Sequence, residues 1–204
     1  MNGAALLALC RDVLGAAGEA EAELYARSSE RGCARFAGGE LGQHMELSDP
    51  VAVVRVARGA RVAETVTSRL ERDALIEAVR ATARAAGLVP EVEGFAGFAS
   101  ASDAGEAPTQ PIVRYDEATA KATPEERVER LLPVLQGVRD AGLVSAGMLE
   151  TTVASHALAT TRGCERSHDA TAASFRVWAL ETPGAGGAAG FGGCVHRDVR
   201  ELRL

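Results

Sequence analysis

Two glycine-centred turns constrain this chain more than any other feature. Cys33 to Ala37 and Glu40 to Leu47 flank Gly38-Gly39, and Val51 to Ala57 and Arg61 to Thr67 flank Gly59-Ala60. Two-residue hairpin loops need positive φ, which glycine adopts without steric cost. A glycine in the first central position, as at Gly59, fits a type II′ turn. Each turn commits its flanking segments to antiparallel pairing. Val51-Ala52-Val53-Val54 is apolar on both faces, which places that strand inside its sheet. Glu21 to Arg27 reads as a further short strand.

Helices stand before and after these hairpins. Leu6, Leu9, Cys10, Val13, Leu14 and Ala17 recur at helical spacing and form one apolar stripe, ended by Gly18. Ser68 and Glu71 have capping-box spacing ahead of a helix with Leu75, Ile76, Val79, Ala83 and Ala86 on one face and Gly87 at its end. Thr123-Pro124-Glu125-Glu126 is the strongest local signal. Threonine caps, proline takes the first helical position, and two acids meet the positive end of the dipole. Val128, Leu131, Leu132, Leu135 and Val138 form its stripe, and Pro133 predicts a kink or break.

The rest of the chain divides in the same terms. Val89 to Gln110 loses periodicity and reads as a long loop, of a kind usually functional or mobile. Val144 to Ala154, His156 to Thr161 and Ala170 to Glu181 read as strands, with Arg162-Gly163 turning between two of them. Gly184 to Gly193 reads as a flexible tract, and Val195 to Leu204 as the start of a helix. The expectation is an α+β fold: an antiparallel or mixed sheet with helices packed on it. Residues 1–183 would form the domain and residues 184–204 a glycine-rich linker with the start of a following segment.

Composition excludes several classes. Apolar residues are 47% of the 204 and charged residues 25%, which rules against disorder, collagen and a disulfide scaffold. A net charge of -6 supplies no basic footprint, so no nucleic-acid partner is expected. No apolar run is long enough to cross a bilayer, and no membrane partner is expected. The N-terminus lacks the basic region of a signal peptide. Cys10, Cys33, Cys164 and Cys194 are scattered without a C-x-x-C pair, which reads as reduced thiols in the cytoplasm.

No active site assembles from the residues alone. None of His44, His156, His168 and His196 is followed by glutamate, so the H-E-x-x-H arrangement is absent. Cys164, His168, Cys194 and His196 offer soft and borderline zinc ligands. Their spacing does not indicate convergence, and they read instead as partly buried thiols and surface imidazoles. Gly184 to Ala189 matches G-x-G-x-x-G/A but lacks the parallel βαβ unit of a dinucleotide fold. Ser145 is one residue out of register with G-x-S-x-G. Asp116 with Glu117 and Glu125 with Glu126 read as capping and dipole compensation. Arg55, Arg58 and Arg61 read as a solvated sheet edge. No catalytic, cofactor-binding or metal residue is assigned.

One resemblance runs through most of the chain. Ala34-Arg35-Phe36-Ala37-Gly38-Gly39-Glu40-Leu41-Gly42-Gln43-His44 resembles the R-F-A-N-N-x-hydrophobic-x-Q hairpin near the start of the TldD/PmbA family, also called the modulator-of-DNA-gyrase family. Here Gly-Gly stands for the usual Asn-Asn and keeps the turn chemistry. The V-x-V-R-V strand, Arg-Gly turn, second strand and Ser68-to-Leu75 helix entry continue the match. Tyr115 to Thr119, Thr123 to Arg127, and Gly147 to Gly163 with its Thr-Arg-Gly turn follow in the family's order.

The resemblance implies an N-terminal α+β domain of a protein about twice this length, with a larger β-rich C-terminal domain. In the catalytic type, that second domain carries an H-E-x-x-x-H helix and a later Cys that bind zinc for peptide hydrolysis. The glutamate would act as general base on the metal-bound water. A paralogue without the motif would be the partner subunit, and peptides the substrate. No zinc is expected in this chain, because no position matches those ligands. The leading expectation is therefore a non-catalytic N-terminal domain of a TldD/PmbA-type zinc metalloprotease, stopping partway through that architecture. The alternative is a stand-alone α+β binding or assembly module without enzymatic activity.

Overall fold

The computed structural model describes residues 1–105, 114–181 and 187–204. The elements are α1 (Gly3–Leu14), β1 (Glu21–Ala37), β2 (Glu40–Ser48), β3 (Val51–Arg58), β4 (Arg61–Thr67), α2 (Arg72–Ala86), α3 (Glu117–Ala120), α4 (Pro124–Asp140), β5 (Val144–Thr160), β6 (Glu165–Leu180) and β7 (Ala189–His196). The sheet has seven strands in the order β4-β3-β1-β5-β6-β7, with β2 also pairing with β1. β1 runs antiparallel to β2 and β3, β3 to β4, and β6 to β7. The α+β class expected from the sequence is the observed one.

Both glycine turns form. Gly38 and Gly39 have φ of 64° and 80°, and Gly59 has φ of 59°, so the positive φ falls where glycine permits it. Several strand segments that read as separate are single long strands. Glu21–Arg27 and Cys33–Ala37 belong to β1, which carries on through the polar stretch Ser28 to Gly32 because cross-strand partners continue alongside it. Val144–Ala154 and His156–Thr161 are likewise one strand.

The chain divides into two compact units, and β1, β5 and β6 each supply residues to both. The first comprises 1–29, 49–112 and 154–169. Its core is Leu6, Cys10 and Val13 of α1, Leu75 and Val79 of α2, and the inward row Ala22, Leu24, Ala52, Val54 and Val56. Strand periodicity of two sends these residues to one face, and the helical stripes meet them there. Complete burial of each Leu or Val contributes on the order of 1.5–3 kcal/mol. In this unit the part of the Val89 to Gln110 loop that is described is pinned. Phe98 is buried, Arg162 donates to its carbonyl at 2.8 Å, and Thr160 donates to the Ala99 carbonyl at 2.8 Å. Residues 106–110 of that loop lie outside the described residues.

The second unit comprises 30–48, 113–153 and 170–204. Leu131 and Leu135 of α4 pack on Ala34, Phe36, Leu149, Ala173 and Phe175, together with Val199 and Leu202. The Thr123 cap forms as expected, as a complete capping box with Glu126. Pro133 neither breaks nor ends the helix, which runs unbroken to Asp140. It lies on the exposed side, where water can replace the bond it removes. Gly137 is also exposed, and a Cβ there meets nothing within 4 Å. Gly137→Ala is therefore expected to stabilise the chain by about 0.5–1 kcal/mol, read as a higher urea midpoint with unchanged slope.

Two further readings of local structure are corrected. The Ser68-to-Glu71 capping box is absent: α2 starts at Arg72, its N-cap is Glu71, and no side chain caps it. Thr67 Oγ1 instead accepts from the Arg69 amide, holding this stretch in a turn. Val195 to Leu204 is not the start of a helix. β7 runs to His196 beside β6, and only a short 3-10 turn, Val199–Glu201, follows. The expected boundary at residue 183 and the first half of the glycine motif, Gly184 to Gly186, lie outside the described residues.

Candidate functional site

The first unit gathers a polar cluster at the start of its β5 segment and the end of its β6 segment. The Tyr25 hydroxyl lies 2.8 Å from His156 Nδ1, and the rings of His156 and His168 stack with centroids 4.6 Å apart. Asp169 accepts from Ser155 Oγ and from the Gly3 amide, the latter at 2.8 Å. Serine, histidine and aspartate are thus adjacent in space, but their bonds do not make a nucleophile. Activation requires the hydroxyl to donate to an imidazole that the carboxylate orients. Here Ser155 donates to the carboxylate, and His156 faces a tyrosine.

Burial first, and then the charge of His168, hold His156 below its ordinary value of 6.5. The unfolded chain therefore takes up this proton before the folded chain does. The contribution is fully present above about pH 6.5 and is lost as pH falls through the depressed folded value. His156→Gln is expected to flatten the decline in urea midpoint between pH 7.5 and pH 5. An acid decline of unchanged size would show that another group drives it.

The second unit holds a buried cation. The Arg127 side chain on α4 is 2% exposed and donates to Thr151 Oγ1 at 2.8 Å, the Ala122 carbonyl at 2.9 Å, His44 Nε2 at 2.9 Å and Glu46 Oε1. Among the described residues its Nε has no hydrogen-bond partner. Gly32 leaves the space that the guanidinium fills, since a Cβ there would collide with it. This arrangement ties α4 to β2 and β5, with the guanidinium lying over Gly32 of β1. It is a structural anchor, and the sequence offered no sign of it, because Arg127 lies up to 83 positions from the residues it bonds.

The residues weighed as zinc ligands are dispersed. Cys164 and His168 belong to the first unit, and Cys194 and His196 to the second. Cys164 is buried, its amide donating to Thr160 Oγ1, whereas Cys194 Sγ lies 3.4 Å from the Arg203 carbonyl and His196 Nδ1 accepts from the Asp198 amide at 3.1 Å. The other two thiols suit a metal poorly. Burial pushes Cys10 up to about 12, and burial together with Glu150 raises Cys33, so both favour the protonated thiol over the thiolate ligand. Among the described residues, no group of three or more His, Cys, Asp or Glu could hold a metal ion. The described residues do not fit a zinc site. Ser145 is buried in β5, and Asp116 caps α3 through the Thr119 amide at 3.0 Å. Arg55 spans Glu23, Glu64 and the face of Phe98.

The sheet order and its helices define an α+β domain of the kind found in TldE and in proposed modulators of DNA gyrase. TldE from Thermococcus kodakarensis matches with a TM-score of 0.82 over 96% of this chain, at 18% identity. A proposed modulator of DNA gyrase from Thermotoga maritima matches at 0.74 over 98%, with 15% identity. Another from Bacteroides thetaiotaomicron matches at 0.75 over 96%, with 14% identity. The chain spans 43%, 44% and 46% of those proteins, less than half of each. No protein-family model matches the sequence, and no curated protein matches it either. Among the described residues, no helix is long and apolar enough to cross a membrane.

Proposed function

We propose that the chain is the N-terminal, non-catalytic domain of a TldD/PmbA-type zinc metalloprotease assembly that matures peptides or degrades small or unfolded proteins. The observation that carries this reading is the likeness to TldE, which spans 96% of the chain but 43% of TldE. The family resemblance of the hairpin at Arg35 to Gln43 and of the segments after it agrees with the structural likeness. In this reading zinc is bound by the C-terminal domain of a catalytic subunit, and the chain acts beside a paralogous subunit. Its four free cysteines suit the cytoplasm, where thiols stay reduced.

The domain would pack against the catalytic part and shape the route by which peptide reaches the metal. The polar groups of Arg127 and Asp169 are engaged in holding the fold. A peptidase assay on the purified chain with added zinc tests the non-catalytic assignment. No hydrolysis is expected, and chelator-sensitive cleavage by the chain alone would overturn it.

A further inference from the structure

In the second unit the sheet has two unlike faces. Ala34, Leu149, Ala173 and Phe175 point toward α4 and are buried. Alternation sends Arg35, Met148, Arg176 and Trp178 to the opposite face. There they line a cavity of about 610 Å³ together with Gln43 and Ala146. The same face continues onto β7. Trp178 pairs with Phe191 across the ladder, ring centroids 4.8 Å apart, and Val195 lies opposite Ser174. Trp178, Phe191 and Val195 are 52%, 59% and 71% exposed, an apolar strip facing solvent.

Charge gives this strip its chemistry. Arg35 and Arg176 flank the cavity, and among the described residues neither has an ion pair or hydrogen-bond partner. Other arginines are paired, for example Arg31 with Glu150 and Arg200 with Asp198. Two unengaged guanidinium groups beside exposed aromatic and thioether side chains match a ligand that joins carboxylates to apolar groups. Width argues for an extended ligand. Five neighbouring strands, β2, β1, β5, β6 and β7, span four steps of about 4.8 Å, roughly 19 Å, the length of five or six extended residues.

We propose that this open face binds an extended peptide segment whose sheet-facing side, every second residue, carries both acidic and apolar side chains, the carboxylates on Arg35 and Arg176 and the apolar side chains on Met148, Trp178 and Phe191. The site stands on this geometry and does not rest on the peptidase reading. The chain is acidic overall, with a net charge of -6, so long-range attraction is not what draws an acidic peptide; the two local guanidinium groups must supply it.

Trp178 is the single tryptophan of the chain and sits in the cavity, so its emission reports binding directly. The probes are capped hexapeptides X-X-Leu-Leu-X-X, with X glutamate, glutamine or lysine, so that either side of the extended chain carries both kinds of residue, titrated into the full chain. The glutamate peptide is expected to shift Trp178 emission to the blue and saturate, and the glutamine peptide to bind at least tenfold more weakly. Arg35→Glu with Arg176→Glu, both exposed positions, should lose the glutamate peptide and gain the lysine peptide. Equal binding of the glutamine peptide, or no shift up to millimolar glutamate peptide, would overturn the proposal. So would tighter binding of a single-stranded oligothymidylate, or an emission shift that follows protein concentration alone and marks a second copy on this face.

Discussion

Gly147→Ala is expected to cost about 3 kcal/mol or more, seen as a fall in thermal midpoint of roughly 6–12 °C or as failure to accumulate folded protein. Nothing in the backbone of Gly147 demands glycine, since its φ is not positive. On conformational entropy alone, alanine would stabilise by about 0.4–1 kcal/mol. Contact decides the sign. An added methyl would lie 3.0 Å from Val177 Cα, 2.6 Å from Phe36 Cζ, and closer still to the Arg176 carbonyl oxygen. Two of those three atoms are backbone of β6, so relief requires the strands to part. Gly190, also in a strand of this unit, meets nothing within 4 Å and serves as the control. Gly190→Ala should change stability by less than about 1 kcal/mol. Similar effects at the two positions would show that β5 and β6 do not approach as described.

Gly32→Ala is the second large effect, expected at about 2–4 kcal/mol. The clash here is with a side chain, and the end of an arginine is ordinarily free to swing away. Arg127 is not free: it is 2% exposed and tied to four partners. Moving it breaks bonds from a charged donor that contribute on the order of 1.5–3 kcal/mol each, partly recovered if water enters. Arg127→Met removes the obstacle and leaves Thr151 and the Ala122 carbonyl without that donor. The two substitutions should therefore be strongly non-additive. In the Arg127→Met background, Gly32→Ala should cost less than about 1 kcal/mol. Equal costs in both backgrounds would place the guanidinium elsewhere.

These two glycines also show where sequence reasoning reaches its limit. Gly38, Gly39 and Gly59 were legible because a two-residue hairpin turn is a local event, decided by φ at the turn itself. The capping box at Thr123 was legible for the same reason: both of its bonds close within three residues. Gly32 and Gly147 sit within long strands, and what requires them lies on other segments. Gly32 falls in the polar stretch Ser28 to Gly32, which looks like a break between strands. It becomes strand because β2 continues the ladder and Arg127 fills the space above it.

The same contrast separates Thr123 from Ser68. Both have capping spacing, but Thr67 holds the chain in a turn at Arg69, and the helix begins only at Arg72. The Gly184 to Gly193 tract reads as flexible because glycine lowers strand propensity. From Ala189 to Gly193, pairing with Leu180 to Arg176 overrides it. The buried Arg127 anchor and the open face with Arg35, Arg176 and Trp178 depend on strand neighbours distant in sequence. Neither leaves a motif.

The fold is the shared feature that links this chain to TldE and the proposed modulators of DNA gyrase, at 14–18% identity. The functional account extends that likeness to a role beside a zinc-bearing subunit. Its most direct test is reconstitution. The purified chain is mixed with a TldD/PmbA-type catalytic subunit from the same genome, and co-elution is measured together with zinc-dependent cleavage of an unfolded protein. The account predicts no cleavage by the chain alone, co-elution of the two proteins, and chelator-sensitive cleavage that rises when the chain is added. Separate elution with cleavage unaffected by the chain would contradict it and leave a stand-alone binding module.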